Sequence, residues 1–362
     1  MNMKIILRIL IVIIVATFTG CTQVFNLLNP VKEIEYLQIG RNISVTSSYN
    51  KPVLEFNSLD TPYIAGCLDG KPSVLKYNGT DWENVGSPQI SSDNVWSLDF
   101  TISSNDIPFI GYVQNATWTG ESIYKYEYGL WSKISTGYWI GNEYQTRNYL
   151  KADSHGNIYS ISWYRQDYYT DKSRIWKYNN SSWEILTEEN PVYFTEGSQF
   201  GICDDGTIYT YSKGSHYISK YSSGNWSSLG SSGLGALYYG NETRLYVDKK
   251  LGIPYCFGPD ANEGLGIFRY KNSQWESISY KKSASKYGFI VTNKIGTPFL
   301  ITQDYDNVYK LFKYSDSNWN ILGRLNNQEI DNVLTMSISN NDEIYLLINK
   351  NNEYRVIKVI SN

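Results

Sequence analysis

Histidine is nearly absent from this sequence, which has two among 362 residues, and no group of cysteine and histidine has the spacing of a zinc site. By the strand order derived below, His155 and His216 fall in turns on opposite faces of the fold, so they cannot share a metal or an acid–base site. No G-x-S-x-G motif occurs, and Gly233-Leu234-Gly235 lacks the third glycine of a dinucleotide-binding fingerprint. The sequence therefore predicts no metal ion, no cofactor and no identifiable catalytic residue.

Clusters of basic residues are also missing beyond the N-terminus. Lys and Arg number 32 against 35 Asp and Glu, which gives a formal net charge of -3, and nothing in that balance favours a nucleic-acid partner or attraction to an acidic membrane surface. Charged residues are 19% of the chain and aromatic residues 15%, with 33 Tyr and 11 Trp. This composition favours half-buried pleated strands over amphipathic helices. We therefore expect an all-β protein that does not bind nucleic acid.

The chain is instead rich in internal repeats. A basic residue precedes a tryptophan by six positions in six places: Lys76 and Trp82, Lys125 and Trp131, Lys177 and Trp183, Lys220 and Trp226, Arg269 and Trp275, and Lys313 and Trp319. Between the two lie an aromatic residue and a short polar segment such as Asn78-Gly79-Thr80-Asp81, which is typical of a tight hairpin turn. Each copy predicts two strands joined by a turn. Because these residues recur in every copy, we interpret them as packing residues rather than as a site.

A second motif precedes each of these pairs and occurs seven times. It consists of Gly or Asp, any residue, Pro or Ile, and an aromatic residue, and its aromatic members are Tyr63, Phe109, Tyr159, Tyr209, Tyr255, Phe299 and Tyr345. The spacing of these aromatic residues is typical of four-stranded propeller blades. An alternating segment such as Leu334 to Ile338 runs before each copy and predicts one more strand. The prediction is a seven-bladed β-propeller with four-stranded antiparallel blades.

The seventh repeat lacks a tryptophan strand, because the chain ends soon after Val356-Ile357-Lys358-Val359. The segment Tyr36-Leu37-Gln38-Ile39-Gly40 has the same pattern as Trp82-Glu83-Asn84-Val85-Gly86. We infer that this N-terminal segment is the outer strand of the last blade and closes the ring, which removes an open sheet edge. Residues 33–362 are thus predicted to form a single domain.

Residues 1–20 have the features of an export signal, with Lys4 and Arg8 before an apolar core that is too short to span a membrane stably. The ending Phe18-Thr19-Gly20-Cys21 resembles a bacterial lipobox. That resemblance implies that Cys21 is lipidated and becomes the mature N-terminus, whereas the alternative is an ordinary cleaved signal peptide. Acyl chains would anchor the protein to a membrane without spanning it. Residues 21–32 would then be the lipidated cysteine and a tether, at the outer membrane or surface of a bacterial cell.

Three cysteines remain, and each lies in an apolar strand context. Cys67, Cys203 and Cys256 are therefore expected to be buried thiols that pack as small hydrophobic side chains. A disulfide between Cys203 and Cys256 is the alternative.

The repeats resemble those of seven-bladed propellers of the kelch, galactose-oxidase-like and sialidase-like kinds found in bacterial surface lipoproteins. The double glycine that kelch repeats carry after their second strand is absent. Asp204-Asp205-Gly206-Thr207-Ile208-Tyr209 is similar to part of a sialidase Asp-box, but it lacks the leading Ser and falls in a different turn. The resemblance therefore implies a fold and carries no activity with it.

The predicted blades differ most in their loops between the second and third strands, which are longest in blades 2 and 3. These loops share a face with the connections between blades, and clustered aromatic rings with a few polar groups there could bind a sugar or a peptide. The candidate ligand-binding residues are Trp118, Tyr138, Trp139, Trp163, Tyr164, Arg165, Tyr168 and Tyr169. The alternative is that these rings fill gaps between long loops and shield the mouth of the channel.

The sequence as a whole predicts a monomeric, lipid-anchored envelope protein that binds a glycan, peptide or protein ligand, or acts as a scaffold, without evident catalysis. Two alternatives stay open. An exported carbohydrate-active enzyme such as a glycosidase would gather carboxyls or arginines at the mouth of the axial channel. A subunit of a surface complex would instead expose an apolar patch on the outer edges of its blades.

Overall fold

The computed structural model describes residues 31–360 except 45–51, 69, 93, 115–120, 136–143, 166–170, 188–198, 213–216, 230–242, 260–263, 281–287, 305–306 and 327. These residues form 28 strands and contain no helix. The strands make seven separate antiparallel sheets of four strands each, joined in a ring. The prediction of an all-β, seven-bladed propeller is confirmed.

Each blade is described from its innermost strand, nearest the ring axis, to its outermost strand. The first strand of the chain, β1 (Tyr36–Ser44), is the outermost strand of blade 7. Blade 1 has β2 (Val53–Phe56), β3 (Pro62–Leu68), β4 (Lys71–Tyr77) and β5 (Trp82–Asn84). Blade 2 has β6 (Val95–Ile102), β7 (Pro108–Gln114), β8 (Glu121–Glu127) and β9 (Leu130–Lys133). Blade 3 has β10 (Tyr144–Ala152), β11 (Ile158–Arg165), β12 (Asp171–Tyr178) and β13 (Trp183–Thr187).

The remaining blades follow the same order. Blade 4 has β14 (Gln199–Ile202), β15 (Ile208–Tyr211), β16 (Ile218–Ser222) and β17 (Asn225–Ser228). Blade 5 has β18 (Arg244–Asp248), β19 (Ile253–Pro259), β20 (Leu265–Lys271) and β21 (Gln274–Ser277). Blade 6 has β22 (Gly288–Thr292), β23 (Pro298–Gln303), β24 (Tyr309–Ser315) and β25 (Asn318–Arg324). Blade 7 has β26 (Asn332–Ile338), β27 (Ile344–Lys350) and β28 (Glu353–Val359), followed outward by β1.

The two ends of the propeller are joined in blade 7. Strand β1 pairs antiparallel with β28, so that Tyr36 lies opposite Val359 and Leu37 lies opposite Lys358. This is the closure that the pattern of Tyr36 to Gly40 predicts. Pairing the N-terminal strand with the last strand leaves no blade short of a strand and stabilises the ring against opening.

The repeated residues lie in one row across each blade. In all seven blades the aromatic residue of the second strand lies opposite the basic residue of the third strand, as Tyr63 does opposite Lys76. In blade 1 the row continues to Glu83 on the outermost strand, whose carboxylate lies 3.0 Å from the Lys76 ammonium. The recurrent basic residues therefore lie away from the axis, on the third strand, and do not line the channel.

The hydrophobic core is divided among the spaces between blades. Seven clusters of buried side chains occur, one at each junction of adjacent blades. At the outer edge, the rings of six Tyr–Trp pairs such as Tyr126 and Trp131 lie across the hairpin turn with centroids 5.1 to 5.5 Å apart. Each blade is thus packed on both faces, which suits strands rich in aromatic and β-branched residues.

The Gly or Asp that opens the second motif has a backbone reason. All seven of these residues have positive φ, between 60° and 83°: Asp60, Asp106, Gly156, Gly206, Gly252, Gly296 and Asp342. Glycine reaches this conformation without strain, and Asp tolerates it better than most residues. Where it is Asp, the carboxylate accepts a hydrogen bond from the turn of the preceding blade, as Asp106 does from Ser58 N at 2.7 Å.

The cysteines agree with the interpretation as buried thiols. Cys67, Cys203 and Cys256 are buried, and Cys203 and Cys256 are not joined to each other. The Cys203–Cys256 disulfide, the alternative left open by the sequence, does not form. Within the residues that the structure describes, no helix has the length and apolar character needed to cross a bilayer.

Candidate functional site

The antiparallel order of the strands gives the propeller two different faces. The turns between first and second strands and between third and fourth strands lie on one face, which we call the turn face. The connections between second and third strands and between successive blades lie on the opposite face, which we call the loop face. Exposed His155 lies in the turn between β10 and β11 on the turn face, as expected, and His216 falls outside the described residues.

The predicted aromatic cluster falls at the loop face of blades 2 and 3. Trp163, Tyr164 and Arg165 are the last residues of β11, where Arg165 lies opposite Asp171 at the end of the ladder with β12. Five other predicted residues lie outside the described residues: Trp118, Tyr138, Trp139, Tyr168 and Tyr169. Their places in the chain are the β7–β8, β9–β10 and β11–β12 connections, all of which leave the loop face. The cluster itself stays a prediction.

The axis of the ring contains a cavity of about 1180 Å³ that is lined by the innermost strands of all seven blades. Its volume slightly exceeds the usual range for small-molecule pockets, which is roughly 300–1,000 Å³. A channel of this size accommodates a short oligosaccharide or an extended peptide segment.

The channel lining differs from blade to blade, unlike the outer strands. At the position opposite the recurrent aromatic residue, the innermost strands carry Glu55, Thr101, Lys151, Gly201, Tyr246, Val291 and Ser337. The same row is repetitive on the second and third strands. All of these residues except Thr101 line the cavity, so most of the variation lies where a ligand could be contacted.

An ion pair joins blades 2 and 3 at the channel. The Lys151 ammonium lies 3.6 Å from Asp99 Oδ2, and the Asp99 side chain is almost fully buried while that of Lys151 is about a quarter exposed. The Asp99 carboxylate also accepts hydrogen bonds from Phe100 N and Leu150 N, each at 2.9 Å. Leu150 N lies on the open edge of β10, the innermost strand of the adjacent blade 3. Asp99 therefore accepts a hydrogen bond from a backbone donor that the sheet leaves unpaired.

Burial and charge act on this pair in different ways. Burial raises the pKa of Asp99, against the lowering effects of Lys151 and of the two backbone donors. Burial would lower the pKa of Lys151, but the carboxylates of Asp99 and Glu55 outweigh it, so the Lys151 pKa is raised. Lys151 is therefore protonated at neutral pH and presents a fixed positive charge to the channel.

Glu55 supplies a second carboxylate to the same cavity. Its side chain is partly exposed and lines the channel from blade 1. Within the described part of the chain it makes no hydrogen bond or ion pair, in contrast to Asp99. The Glu55 carboxylate and the exposed part of Lys151 are thus two charged groups that can meet a ligand within the ring. Five further charged residues line the cavity near its turn-face end: Asp204, Asp248, Lys249, Lys250 and Lys294.

Other polar residues of the lining stabilise the ring. The Tyr246 hydroxyl accepts a hydrogen bond from Thr292 N at 3.0 Å, and Gln199 Oε1 accepts one from Leu245 N at 2.8 Å. Each bond ties one blade to the open edge of the next. Burial raises the pKa of Tyr246 to about 12, so its hydroxyl remains neutral.

Sequence reasoning missed Glu55, Asp99 and Lys151. For Glu55 and Lys151 the signal was present in the aligned repeats, because these charged residues stand where the other innermost strands have Thr, Gly, Tyr, Val or Ser. Differences in loop length between blades do not indicate these positions, because they lie within the innermost strands. No group of three or more His, Cys, Asp or Glu residues in the described ranges could hold a metal ion.

Comparison with known proteins establishes the architecture. No protein-family model and no curated protein matches the sequence. Virginiamycin B lyase from Staphylococcus aureus is similar in structure, with a TM-score of 0.56 and 10% identity over 90% of this chain and 100% of that chain. A polysaccharide lyase, an ulvan lyase bound to -[GlcA(1-4)Rha3S]-, has a TM-score of 0.52 and 11% identity over 89% of this chain and 95% of that chain. YCF48 from Cyanidioschyzon merolae has a TM-score of 0.51 and 10% identity over 88% of this chain and 98% of that chain. At these identities the similarity shows the propeller fold alone.

Proposed function

We propose that this chain is a lipid-anchored protein of the bacterial cell envelope that binds a glycan in its axial channel, with the loop face as the approach. One observation carries this proposal. The channel, about 1180 Å³ in volume, is lined by side chains that differ between blades, whereas the outer rows repeat. A purely structural ring has no need for that variation.

A glycan fits the lining better than an apolar ligand does. The Glu55 carboxylate can accept hydrogen bonds from a ligand and the Lys151 ammonium can donate them, and both residues line the cavity. The predicted aromatic residues at the loop face would stack on sugar rings. The ulvan lyase, a protein of the same fold, is bound to a saccharide. A peptide with both charges is the second ligand class that this lining suits.

The protonation states of Lys151 and Tyr246 favour a role in binding over one in acid–base catalysis for these two residues. Because the pKa of Lys151 is raised and that of Tyr246 is about 12, neither is a general base near neutral pH. Asp99 accepts two backbone hydrogen bonds that hold its carboxylate in place. These groups are suited to holding a ligand in a fixed orientation.

A glycan array tests the proposal, with a soluble chain that begins at Glu33. We expect wild type to bind at least one glycan class, Lys151→Met to weaken that binding at least tenfold, and Lys220→Met to leave it unchanged. Lys220 is the matched control because it lies on β16, away from the channel. Trp139→Ala combined with Trp163→Ala tests the loop face in the same assay. Failure to bind any glycan, or equal weakening by both lysine variants, contradicts the proposal.

Palmitate labelling tests the anchor independently of the ligand. In the full-length chain expressed in bacteria, label should enter the wild type, remain with the membrane fraction, and be absent from Cys21→Ser. Equal labelling of both proteins, or a wild type released from membranes, would overturn the anchor and leave the channel proposal standing.

An exported glycan-cleaving enzyme is the second candidate, because Glu55, Asp99 and Lys151 gather in one channel. Two of the structural neighbours, virginiamycin B lyase and the ulvan lyase, are named as lyases. Incubation with envelope and plant polysaccharides should then release new chain ends, and Glu55→Gln should abolish the release. Ligands that bind without being cleaved support the binding protein instead.

A subunit of a surface complex is favoured by a different observation. The outer strands of blades 6 and 7 expose Leu37, Ile321 and Leu322, which are the kind of residues that a protein partner would cover. Sedimentation of the soluble chain with an envelope extract, compared between wild type and Leu37→Ser with Leu322→Ser, tests this candidate.

A further inference from the structure

The tips of the seven turns between first and second strands differ in polarity. The tip is the residue before the positive-φ Gly or Asp, and the seven tips are Leu59, Asn105, His155, Asp205, Leu251, Ile295 and Asn341. Three of them are apolar and exposed: Leu59 at 81%, Leu251 at 49% and Ile295 at 74%. All three belong to four consecutive blades of the ring, blades 5, 6, 7 and 1. The tips of blades 2, 3, 4 and 7 are polar, so within this arc the apolar tips are those of blades 5, 6 and 1.

Positive charge accompanies the apolar tips of blades 5 and 6. Lys249 and Lys250 precede Leu251, and Lys294 precedes Ile295, and all three lysines are exposed. The corresponding turn of blade 4 carries Asp204 and Asp205. The turn of blade 5 is therefore basic and apolar beside the acidic turn of blade 4. In blade 6 the Lys294 ammonium lies 3.6 Å from Asp342 Oδ2 of blade 7, which offsets part of its charge.

Contacts between blades make this arc one continuous surface. Lys250 Nζ donates to the backbone oxygen of Lys294 at 3.4 Å. Leu251 Cδ1 lies 2.2 Å from where a Cβ on Gly296 would be, so it lies directly against the turn of blade 6. The arc continues to blade 7 through Lys294 N and Asp342 Oδ1, 2.8 Å apart.

The junction with blade 1 is made by Asn340 N, which donates to Asp60 Oδ1. We call this surface the basic–apolar patch and define it by its exposed residues: Lys249, Lys250, Leu251, Lys294, Ile295 and Leu59.

The N-terminal segment joins the propeller within the same arc. Glu33 bridges Arg324, at the end of β25 that leads to the loop face of blade 6, and Tyr36 lies opposite Val359, at the end of β28 that leads to the turn face of blade 7. The segment therefore reaches the propeller at its outer rim, between the two faces. Val31 is ten Cα–Cα steps from Cys21, so Cys21 can lie at most about 35 Å from Val31. A lipid on Cys21 would hold this side of the molecule close to a membrane.

We propose that the basic–apolar patch docks on the surface of an anionic lipid bilayer and directs the loop face away from it. This inference rests on the proposed anchor at Cys21. Leu251, Ile295 and Leu59 enter the boundary between headgroups and acyl chains, while the three lysines contact anionic headgroups. Each contact is weak alone, but the tether keeps the patch at a high effective concentration near the bilayer. Docking therefore sets orientation and leaves the loop-face mouth of the channel open.

An environment-sensitive fluorophore tests the docking. A hexahistidine tag replaces residues 1–21, because the closed ring is built from residues 31 onward and does not need them. The protein is tethered to vesicles of phosphatidylcholine and phosphatidylglycerol that contain a nickel-chelating lipid. NBD is attached to Ile295→Cys in one sample and to His155→Cys in another, the equivalent exposed tip of blade 3. The native Cys67, Cys203 and Cys256 are buried and should not take up the label.

On tethering, NBD at position 295 should brighten several-fold and shift to the blue, while NBD at position 155 should change little. Replacement of phosphatidylglycerol by phosphatidylcholine, or Lys249→Glu with Lys250→Glu, should abolish the change at position 295. No change at position 295, equal changes at both positions, or an undiminished change on uncharged vesicles would overturn the docking.

The chelating lipid stands in for the acyl chain, so this result is independent of whether Cys21 is lipidated. A negative fluorescence result with palmitate labelling intact therefore refutes the docking and not the anchor. A positive fluorescence result together with absent palmitate labelling refutes the anchor and not the docking.

Discussion

The indole Nε1 of Trp131 donates a hydrogen bond to the backbone oxygen of Val85, 2.7 Å away in the preceding blade. The same bond links four further tryptophans to the preceding blade: Trp82 to Ile39, Trp183 to Ile134, Trp275 to Leu229, and Trp319 to Ile278. The indole nitrogen of Trp226 is buried and has no hydrogen-bond partner in the described ranges. Outer strands are therefore linked around most of the ring by repeated residues.

The tryptophan bonds predict a difference between two otherwise equivalent substitutions. Trp131→Phe removes a hydrogen bond and leaves a carbonyl unsatisfied, whereas Trp226→Phe removes only ring volume. We expect Trp131→Phe to lower the free energy of unfolding by about 1–2 kcal/mol more than Trp226→Phe does. Urea unfolding followed by circular dichroism measures both. Equal losses would show that the indole bonds contribute little to stability.

The closure of blade 7 predicts a steric effect at Gly40. This residue has φ of +64°, and a Cβ there would lie 2.5 Å from the Trp82 ring. Gly129 has φ of +81° with nothing within 4 Å of its Cβ position, so it is the matched control. Gly129→Ala should cost about 1–2 kcal/mol from backbone strain alone, and Gly40→Ala a further 1–3 kcal/mol or so from displacement of the Trp82 ring. Thermal unfolding that ranks the two variants equally would contradict the contact.

The Asp99–Lys151 pair predicts a pH dependence. Lys151→Met leaves the buried Asp99 carboxylate without its partner, and we expect a loss of about 2 kcal/mol at neutral pH, since Lys151 is partly exposed. In the variant, the folded-state pKa of Asp99 rises further above that of the unfolded chain. The native state then takes up a proton first as pH falls, so the deficit should shrink as pH falls from neutrality towards the ordinary Asp pKa, about 4.

In wild type the stabilisation contributed by Lys151 changes with pH in the opposite direction to that of a carboxylate with a lowered pKa. Because its folded-state pKa is raised, its stabilisation is complete below the ordinary lysine pKa and is lost as pH rises through the folded value. Urea titrations at several pH values measure both effects. Lys220→Met is the control, because Lys220 lies on β16, away from the channel and from Asp99. A deficit for Lys151→Met that is constant with pH would mean that Asp99 is not the group left unpaired.

Burial predicts the reactivity of Cys203 and Cys256. Burial raises the pKa of both thiols, to about 12 for Cys203, so neither forms the reactive thiolate in the native state. We expect iodoacetamide to modify them only under denaturing conditions, as read by peptide mass spectrometry. Rapid native modification of Cys256 would show that the space between blades 4 and 5 opens readily.

The candidate site was only partly predictable from the sequence. Loop lengths directed attention to Trp163 and its neighbours, and β11 and β12 do extend to residues 165 and 171 at the loop face. The residues at the channel were missed although the aligned repeats contain them. The reason is physical: Asp99 and Lys151 acquire a role from their neighbours in adjacent blades, and a single repeat considered alone does not show those neighbours.

Blade number, strand order and ring closure were determined by the sequence alone, because turns and strands depend on local patterns that recur along the chain. The pairing of the Tyr36 strand with the Lys358 strand could be predicted because both strands carry the period of every other blade, and the structure adds the register, with Tyr36 opposite Val359. Only the tertiary structure decided what faces the axis and what shares the turn face. Glu55 and Lys151, or Leu59 and Ile295, are distant in the sequence, and they share a surface only because seven twisted sheets close into a ring.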